Sequence, residues 1–312
     1  MGIPVTAAER LTPDQVRAVL ALVDAAGIAD GAAPLSEHTV LHVRHGGEAP
    51  AVHLLIEEGA DLVGYAHVDT TDAVDGAAAE LAVHPLHRRR GLGRALVRAA
   101  LAVADERADG RLRLWSHGDH PSASALSLSL GFERYRVLFQ LRRSLLDPPL
   151  PEPTLPAGVE VRPFVPGVDE EAWLRVNARA FADHPEQGKW VLADLRTRMA
   201  EPWFDPAGFL LAWRDGQLVG FHWTKVHGAG EHGHDPIGEV YVLGVDPDAH
   251  GGGLGKALTL VGLHHLRGRG LERAMLYVDE DNPGAVTLYR KLGFALWSTD
   301  VAYRRRLVNR SV

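Results

Sequence analysis

The chain repeats itself. Gly131-Phe132 aligns with Gly293-Phe294 at an offset of 293 − 131 = 162. At the same offset Pro85 falls on Pro247, Gly91 on Gly253, Gly93 on Gly255 and Ala123 on Ala285. Upstream, Leu62-Val63-Gly64-Tyr65 matches Leu218-Val219-Gly220-Phe221 at an offset of 156. The change from 156 to 162 predicts a six-residue insertion in the second copy, within the stretch 227–238. A repeat this long predicts two copies of one ~140–150-residue domain. Between the copies, Leu145 to Gly158 carries prolines at 148, 149, 151, 153 and 156. Proline at that density removes backbone donors and favours an extended chain, so the segment reads as a linker. The expected organisation is a first domain over 1–145, a linker over 146–157 and a second domain over 158–312.

Each copy reads in one order. An opening helix precedes alternating, half-apolar strands such as PAVHLLIEE and GFLLAWRDGQLVGFHWTKV, with hairpin turns at Glu58-Gly59 and Asp215-Gly216. An apolar strand follows (AAAELAVHP, EVYVLGVDP), and then a Gly-rich turn opens an amphipathic helix. A further strand, a short helix, Gly-Phe and a last strand complete the unit. The prediction is an α/β fold, with a mixed sheet flanked by helices in each copy.

Composition excludes several function classes. Lys plus Arg is 33 against 40 Asp plus Glu, a net charge of −7, which argues against a nucleic-acid partner. With no cysteine there is no disulfide, thiolate metal site or cysteine nucleophile. No apolar run approaches the ~20 residues of a membrane span. MGIPVTAAERLTPDQ does not read as a secretory signal. A monomeric, cytoplasmic protein without a membrane partner is expected. His227, Glu231, His232 and His234 cluster within the second-copy insertion, but their spacing matches no zinc-protease motif, and Gly228, Gly230 and Gly233 oppose a helix. A solvated loop and no metal are expected there.

The Gly-rich turns are Arg88-Arg89-Arg90-Gly91-Leu92-Gly93-Arg94 and His250-Gly251-Gly252-Gly253-Leu254-Gly255-Lys256. Glycine lets backbone amides approach an anion closely, and a helix start adds unpaired N–H donors and a positive dipole end. A phosphate or pyrophosphate cradle is predicted in both copies. It is not a P-loop, since His250 and Ala257 stand where glycine and Ser/Thr are required. Nor is it a dinucleotide fingerprint, because Gly255 follows Gly253 by two.

These turns, with Asn282-Pro283-Gly284-Ala285-Val286-Thr287-Leu288-Tyr289 and Gly293-Phe294 downstream, resemble the GNAT acetyltransferase superfamily. His250 departs from the usual Gln or Arg at the first position, which a backbone cradle tolerates. The tandem arrangement resembles the mycothiol synthase family, with Ser36-Glu37 in the first copy and His184–Gly188 and Phe221–Lys225 in the second. That family moves acetyl from acetyl-CoA to the cysteinyl amine of 1-D-myo-inosityl 2-(L-cysteinylamino)-2-deoxy-α-D-glucopyranoside. The resemblance implies acetyl-CoA contacts at Leu243, Gly244, Val245, residues 250–256 (His250, Gly251, Gly252, Gly253, Leu254, Gly255, Lys256) and residues 282–287 (Asn282, Pro283, Gly284, Ala285, Val286, Thr287). It implies a second set at Leu81, Ala82, Val83, Arg89, Arg90, Gly91, Leu92, Gly93 and Arg94. For the polar substrate it nominates Glu37, Glu186, Lys225 and Tyr277.

Acetyl transfer to an amine needs a neutral amine and a proton for the leaving thiolate. Tyr289, with a reference pKa of ~10 against ~8.5 for a thiol, is the candidate acid. Glu239, near the start of the strand leading to Leu243, is the candidate base. Subtracting 162 gives Ser127 and Ala77, so the first copy lacks both and is expected to be non-catalytic. Glu80 is nearby, but its strand parity relative to Ala77 points it to the other face. The residues leave open a transferase for another amine or a peptide N-terminus, and a non-catalytic acyl-CoA-binding sensor.

Overall fold

The computed structural model describes residues 3–46, 51–72, 76–182, 184, 187–228 and 235–305. The elements run β1 (Thr6–Ala8), α1 (Pro13–Asp30), α2 (Glu37–His45), β2 (Ala51–Glu58), β3 (Asp61–Asp69), β4 (Ala77–Val83), α3 (Leu92–Arg107), β5 (Leu112–Ser116), α4 (Pro121–Ser129) and β6 (Phe132–Ser144). They continue with β7 (Val159–Pro163), α5 (Glu170–Ala180), α6 (Leu192–Met199), β8 (Phe209–Arg214), β9 (Gln217–His227), β10 (Ile237–Val245), α7 (Leu254–Gly268), β11 (Arg273–Asp279), α8 (Pro283–Lys291) and β12 (Ala295–Arg305).

Two compact units result. One comprises Met1–Leu138 with Ser298–Val312, and the other Phe139–Trp297. The last strand of the sequence therefore completes the first unit. Its Val301–Arg304 pairs antiparallel with Ser116–Arg113 of β5. In the second unit β6 lies beside β11, and Leu145 N–H continues the contact to Glu272 O at 2.8 Å. The strand order is β1-β2-β3-β4-β5-β12 in the first unit and β6-β11-β10-β9-β8-β7 in the second. The proline-rich segment has neither helix nor strand and runs within the second unit, where Leu145 and Leu150 join the core.

Local chemistry explains the helix starts. Thr12 and Gln15 form a capping box at α1, with Pro13 at the first turn. Asn282 accepts from Ala285 N–H at α8, again with proline following. By contrast, α3 and α7 start at Gly91 and Gly253, both left-handed (φ 86° and 77°), and neither has a side-chain cap. Their first N–H groups are thus left for something else.

The repeat is visible in the pairing, with one correction. β4 pairs in parallel with β5 through Ala77↔Leu112 to Ala79↔Leu114. β10 pairs with β11 through Gly238↔Ala274 to Val240↔Leu276. The offset is 274 − 112 = 162 on one strand but 238 − 77 = 161 on the other. Beyond Tyr241 it is 245 − 83 = 162, since Val83 faces Gly64 and Val245 faces Gly220. The missing residue is a β-bulge between Val240 and Val242. Five of the six inserted residues thus belong to the connection between β9 and β10, and the sixth is Tyr241. Ala78, not Ala77, is the counterpart of Glu239. Glu80 does face away from Ala77, as expected, but it shares the face of Ala78, the actual counterpart of Glu239, two positions along the strand.

Candidate active site

The second unit holds the chemistry-bearing cluster. β10 and β11 are paired only as far as Val240 and Leu276, after which β10 runs on to Val245 with pairing to β9 alone. The two parallel strands therefore splay, and among the described residues no strand pairs with the other edge of Val242–Val245. A bulge raises local twist and breaks the ladder, which accounts for the splay beginning there. Gly244 sits in this stretch, and a Cβ on it would stand 2.7 Å from the Phe221 ring and 3.2 Å from Ala180 Cβ. Glycine is required there by packing. Val245 O is already taken by His250 Nε2 at 3.1 Å, so this carbonyl is not among the groups the edge offers. Leu243 packs toward α7.

At the end of the splayed strand lies the Gly-rich turn. Gly251 and Gly253 have φ of +91° and +77°, and nothing stands within 4 Å of where their Cβ atoms would be. Gly252 has only Pro156 at 3.8 Å and Gly255 only Val245 at 3.8 Å, and Lys256 is exposed. Leu254 is buried and anchors the helix start. An open turn feeding unfilled helix N–H donors fits an anionic phosphate. Downstream, Asn282 is used as the α8 cap and residues 283–287 form its first turns.

Glu239 lies at the apex of the splay, 7% exposed. Its Oε2 is 2.7 Å from His227 Nε2. His227 closes β9 and is buried, so the expectation of a solvated loop fails at this residue, while Glu231, His232 and His234 lie outside the described residues. No group of three metal-ligating side chains occurs among the described residues. Lys225 faces Glu239 across the strands. Its ammonium lies over the Trp203 ring at 4.6 Å and 5.5 Å from that of Tyr241, an attraction that strengthens away from water. Arg198 donates to Tyr241 Oη at 2.9 Å and covers Trp190 at 3.8 Å. Neither Trp203 nor Arg198 was singled out from the sequence, since aromatic and arginine positions carry no motif of their own.

Tyr289 is on α8, 8% exposed, with its ring edge-on to Phe294. Burial pushes its hydroxyl up to about 12, so it keeps its proton at neutral pH. It packs with Val240, Leu260 and Leu276, on the face of the sheet opposite to Lys225 and Trp223. Tyr277 is half exposed on β11 and accepts from Gln140 at 2.7 Å. Glu186 lies outside the described residues.

The first unit keeps the frame and changes the contents. β4 likewise outruns its pairing with β5 after Ala79. Arg88 stands where His250 does and donates to Val83 O at 3.1 Å, while holding Asp30 in a bidentate pair at 2.6 and 2.8 Å. Arg90 pairs with Glu58, and Arg94 donates to Ser129. A Cβ at Gly91 would meet Ile3 at 3.6 Å and one at Gly93 would meet Leu126 at 3.2 Å. This cradle is tighter than the second. Leu81 and Val83 are half-buried, and Ala82 and Leu92 are in the core. Glu80 is buried and accepts from Ser36 N–H at 2.7 Å, one residue before Glu37 starts α2. His117 stands 3.6 Å from Glu80 and 3.0 Å from Asp300. Burial alone would lower the His117 pKa, but the hydrogen bond to Asp300 and the negative charge of the nearby Glu80 outweigh it and push the imidazole up to about 10. Where the second unit has Phe209 and Trp223, the first has His53 and His67, which burial, with the nearby His42, lowers to about 4 and about 3.

A splayed pair of parallel strands, an uncapped Gly-rich helix start beside it, and a buried carboxylate at the apex define an acetyl-CoA-dependent N-acetyltransferase of the GNAT class. The GNAT acetyltransferase family matches residues 171–294, and a GNAT acetyltransferase domain matches residues 49–134. Over nearly its whole length the chain belongs to the mycothiol acetyltransferase family. It is 60% identical to the mycothiol acetyltransferase of Salinispora arenicola, covering 96% of both chains. It is 53% identical to that of Streptosporangium roseum, covering 95% of this chain and 97% of the relative. Among solved structures, a GCN5-related N-acetyltransferase from Sphaerobacter thermophilus superposes with a TM-score of 0.70 at 27% identity, covering 96% and 95% of the two chains. A tandem GNAT protein from the clavulanic acid biosynthesis pathway shares the fold at a TM-score of 0.72 and 21% identity, covering 96% and 97%.

Proposed function

We propose that the protein transfers acetyl from acetyl-CoA to the cysteinyl amine of 1-D-myo-inosityl 2-(L-cysteinylamino)-2-deoxy-α-D-glucopyranoside, giving mycothiol and CoA, and that the chemistry occurs in the second unit. The observation that carries the assignment to that unit is Glu239 at the apex of the splay, where the first unit has Ala78.

The turn over Gly251–Gly255 and the first N–H groups of α7 hold the coenzyme's phosphates, and the edge of Val242–Val245 turned away from β9 pairs with its amide arm. Bound there, acetyl-CoA supplies an activated thioester carbonyl. Glu239 takes the proton of the substrate ammonium, directly or through one water. An α-amino group has a pKa of ~7.7–8.0, so the base is asked for modest help at neutral pH. Tyr289 gives its proton to the departing sulfur. Base and acid approach the splay from opposite faces of the sheet. Lys225 and Tyr277 contact the polar substrate. The first unit keeps a coenzyme cradle through Leu81–Val83 and Arg89–Arg94 but performs no transfer.

Mass spectrometry of the product tests the reaction. One added acetyl is expected, with the thiol still reactive to maleimide. A blocked thiol, or turnover with other amines only, would overturn the substrate assignment.

A further inference from the structure

We propose that His227 is a positioning residue for the transfer, its imidazole holding the Glu239 carboxylate ionised and in one orientation at the apex of the splayed strands. The proposal rests on the reading of Glu239 as the base.

Three observations carry it. First, the register Ile237↔His227 and Glu239↔Lys225 makes His227 and Glu239 diagonal neighbours on one face of an antiparallel pair. Second, His227 Nε2 and Glu239 Oε2 are 2.7 Å apart and each residue is only 7% exposed. A carboxylate this buried tends to give up its charge unless donors hold it, and an imidazole N–H is such a donor. Third, the pair is confined to the copy assigned the chemistry. The first unit has Ala78 in place of Glu239, and 227 − 156 gives Thr71 in place of His227. A dyad kept only for packing has no reason to be absent from one copy as a whole.

The proton balance is simple. The substrate ammonium loses a proton and becomes the nucleophilic amine, and Glu239 gains that proton. His227 stays beside the carboxylate throughout and bonds to no substrate atom. Holding the carboxylate in a single rotamer matters because proton transfer requires hydrogen-bond reach.

Other charged and titratable groups surround this face. Lys225 and Tyr241 stand on the sheet, Arg273 and Tyr277 on β11, Arg198 on α6 with Glu201 just past it, and His184 in the connection before α6. From α5 the inward residues are Trp173, Val176 and Asn177, none of which titrates.

His227→Phe keeps a ring and removes the donor, whereas His227→Gln returns an amide N–H. The readout is kcat/KM for the amine against pH. His227→Phe is expected to move the acid limb up by about one to two pH units, the worth of one hydrogen bond to a charged group. It should lower kcat at pH 7 and leave KM for acetyl-CoA unchanged. His227→Gln should bring the limb back toward its original place. A folded His227→Phe enzyme with an unmoved limb overturns the proposal, as does a His227→Gln enzyme impaired like His227→Phe. Glu239→Gln separates the two readings. If it retains full turnover, the base assignment falls and the proposal with it. If it is inactive while His227→Phe leaves the limb in place, His227 alone is misassigned.

Discussion

Asp300→Asn removes one negative charge from beside His117 and little else. The amide oxygen still accepts from Gly118 N–H, which lies 2.8 Å from Asp300 Oδ1. What is lost is the charge-assisted bond at 3.0 Å to the His117 ring, while Glu80 remains on the ring's other side. A hydrogen bond to a charged group is worth about 1.5–3 kcal/mol, and the surviving Glu80 keeps the loss within that range rather than that of a fully orphaned buried charge. The sign with pH follows from the folded imidazole, raised to about 10 from an ordinary 6.5. A group raised on folding contributes stability that is fully present below pH 6.5 and is lost as pH climbs through about 10. The Asp300→Asn deficit should therefore be about 1.5–3 kcal/mol near pH 6 and shrink as pH approaches 10. Urea unfolding at pH 6, 8 and 10, followed by circular dichroism, measures it. A deficit that is the same at all three pH values, or absent at pH 6, would refute the reasoning.

Other substitutions probe the transfer itself. Tyr289→Phe should cost roughly 10²–10⁴-fold in kcat with unchanged acetyl-CoA affinity by calorimetry; an unchanged kcat would assign the proton to another donor. Gly253→Val places a side chain in the open cradle and should abolish turnover, whereas Gly91→Val should leave most activity, with both variants folded by circular dichroism. The reverse pattern would reassign the catalytic unit. Gly244→Ala drives a Cβ to 2.7 Å from the Phe221 ring, so a stability loss of about 1–3 kcal/mol and a higher KM for acetyl-CoA are expected from thermal melts and steady-state kinetics.

Much of this was legible in the residues. Glycines at 91, 93, 253 and 255 marked the helix starts because few other residues suit those backbone conformations and close approaches. From β2 to α4 and from β8 to α8 the order of strands and helices followed from periodicity, whereas the opening strands β1 and β7 and the second helices α2 and α6 were not read. The bulge was not legible. One extra residue in a strand shifts an alignment offset without altering composition, so all six inserted residues were counted into the stretch 227–238, and Glu239 was matched to Ala77 in place of Ala78 as a consequence. His227 was grouped with the glycine-rich stretch that follows it, because local sequence cannot show that β9 extends that far or that a partner waits across the ladder. The placement of the last strand was equally hidden. Gly131-Phe132 and Gly293-Phe294 introduce near-equivalent strands, and either would satisfy the local pattern beside β5. The buried chain Asp300–His117–Glu80–Ser36 joins residues up to 264 positions apart, from Ser36 to Asp300, a separation over which no motif operates.

The strand assignment has a consequence for the order in which a nascent chain matures. β5 finds its antiparallel partner only at Val301–Arg304, some 185 residues further along, counting from Ser116 to Val301. At ~5–20 residues per second, that edge waits roughly 10–40 s on the ribosome. The second unit's residues end at Trp297, a few positions before that strand is complete. The half translated first is therefore the half finished last, and during that interval its open β5 edge is the part of the chain most in need of shielding from other strands.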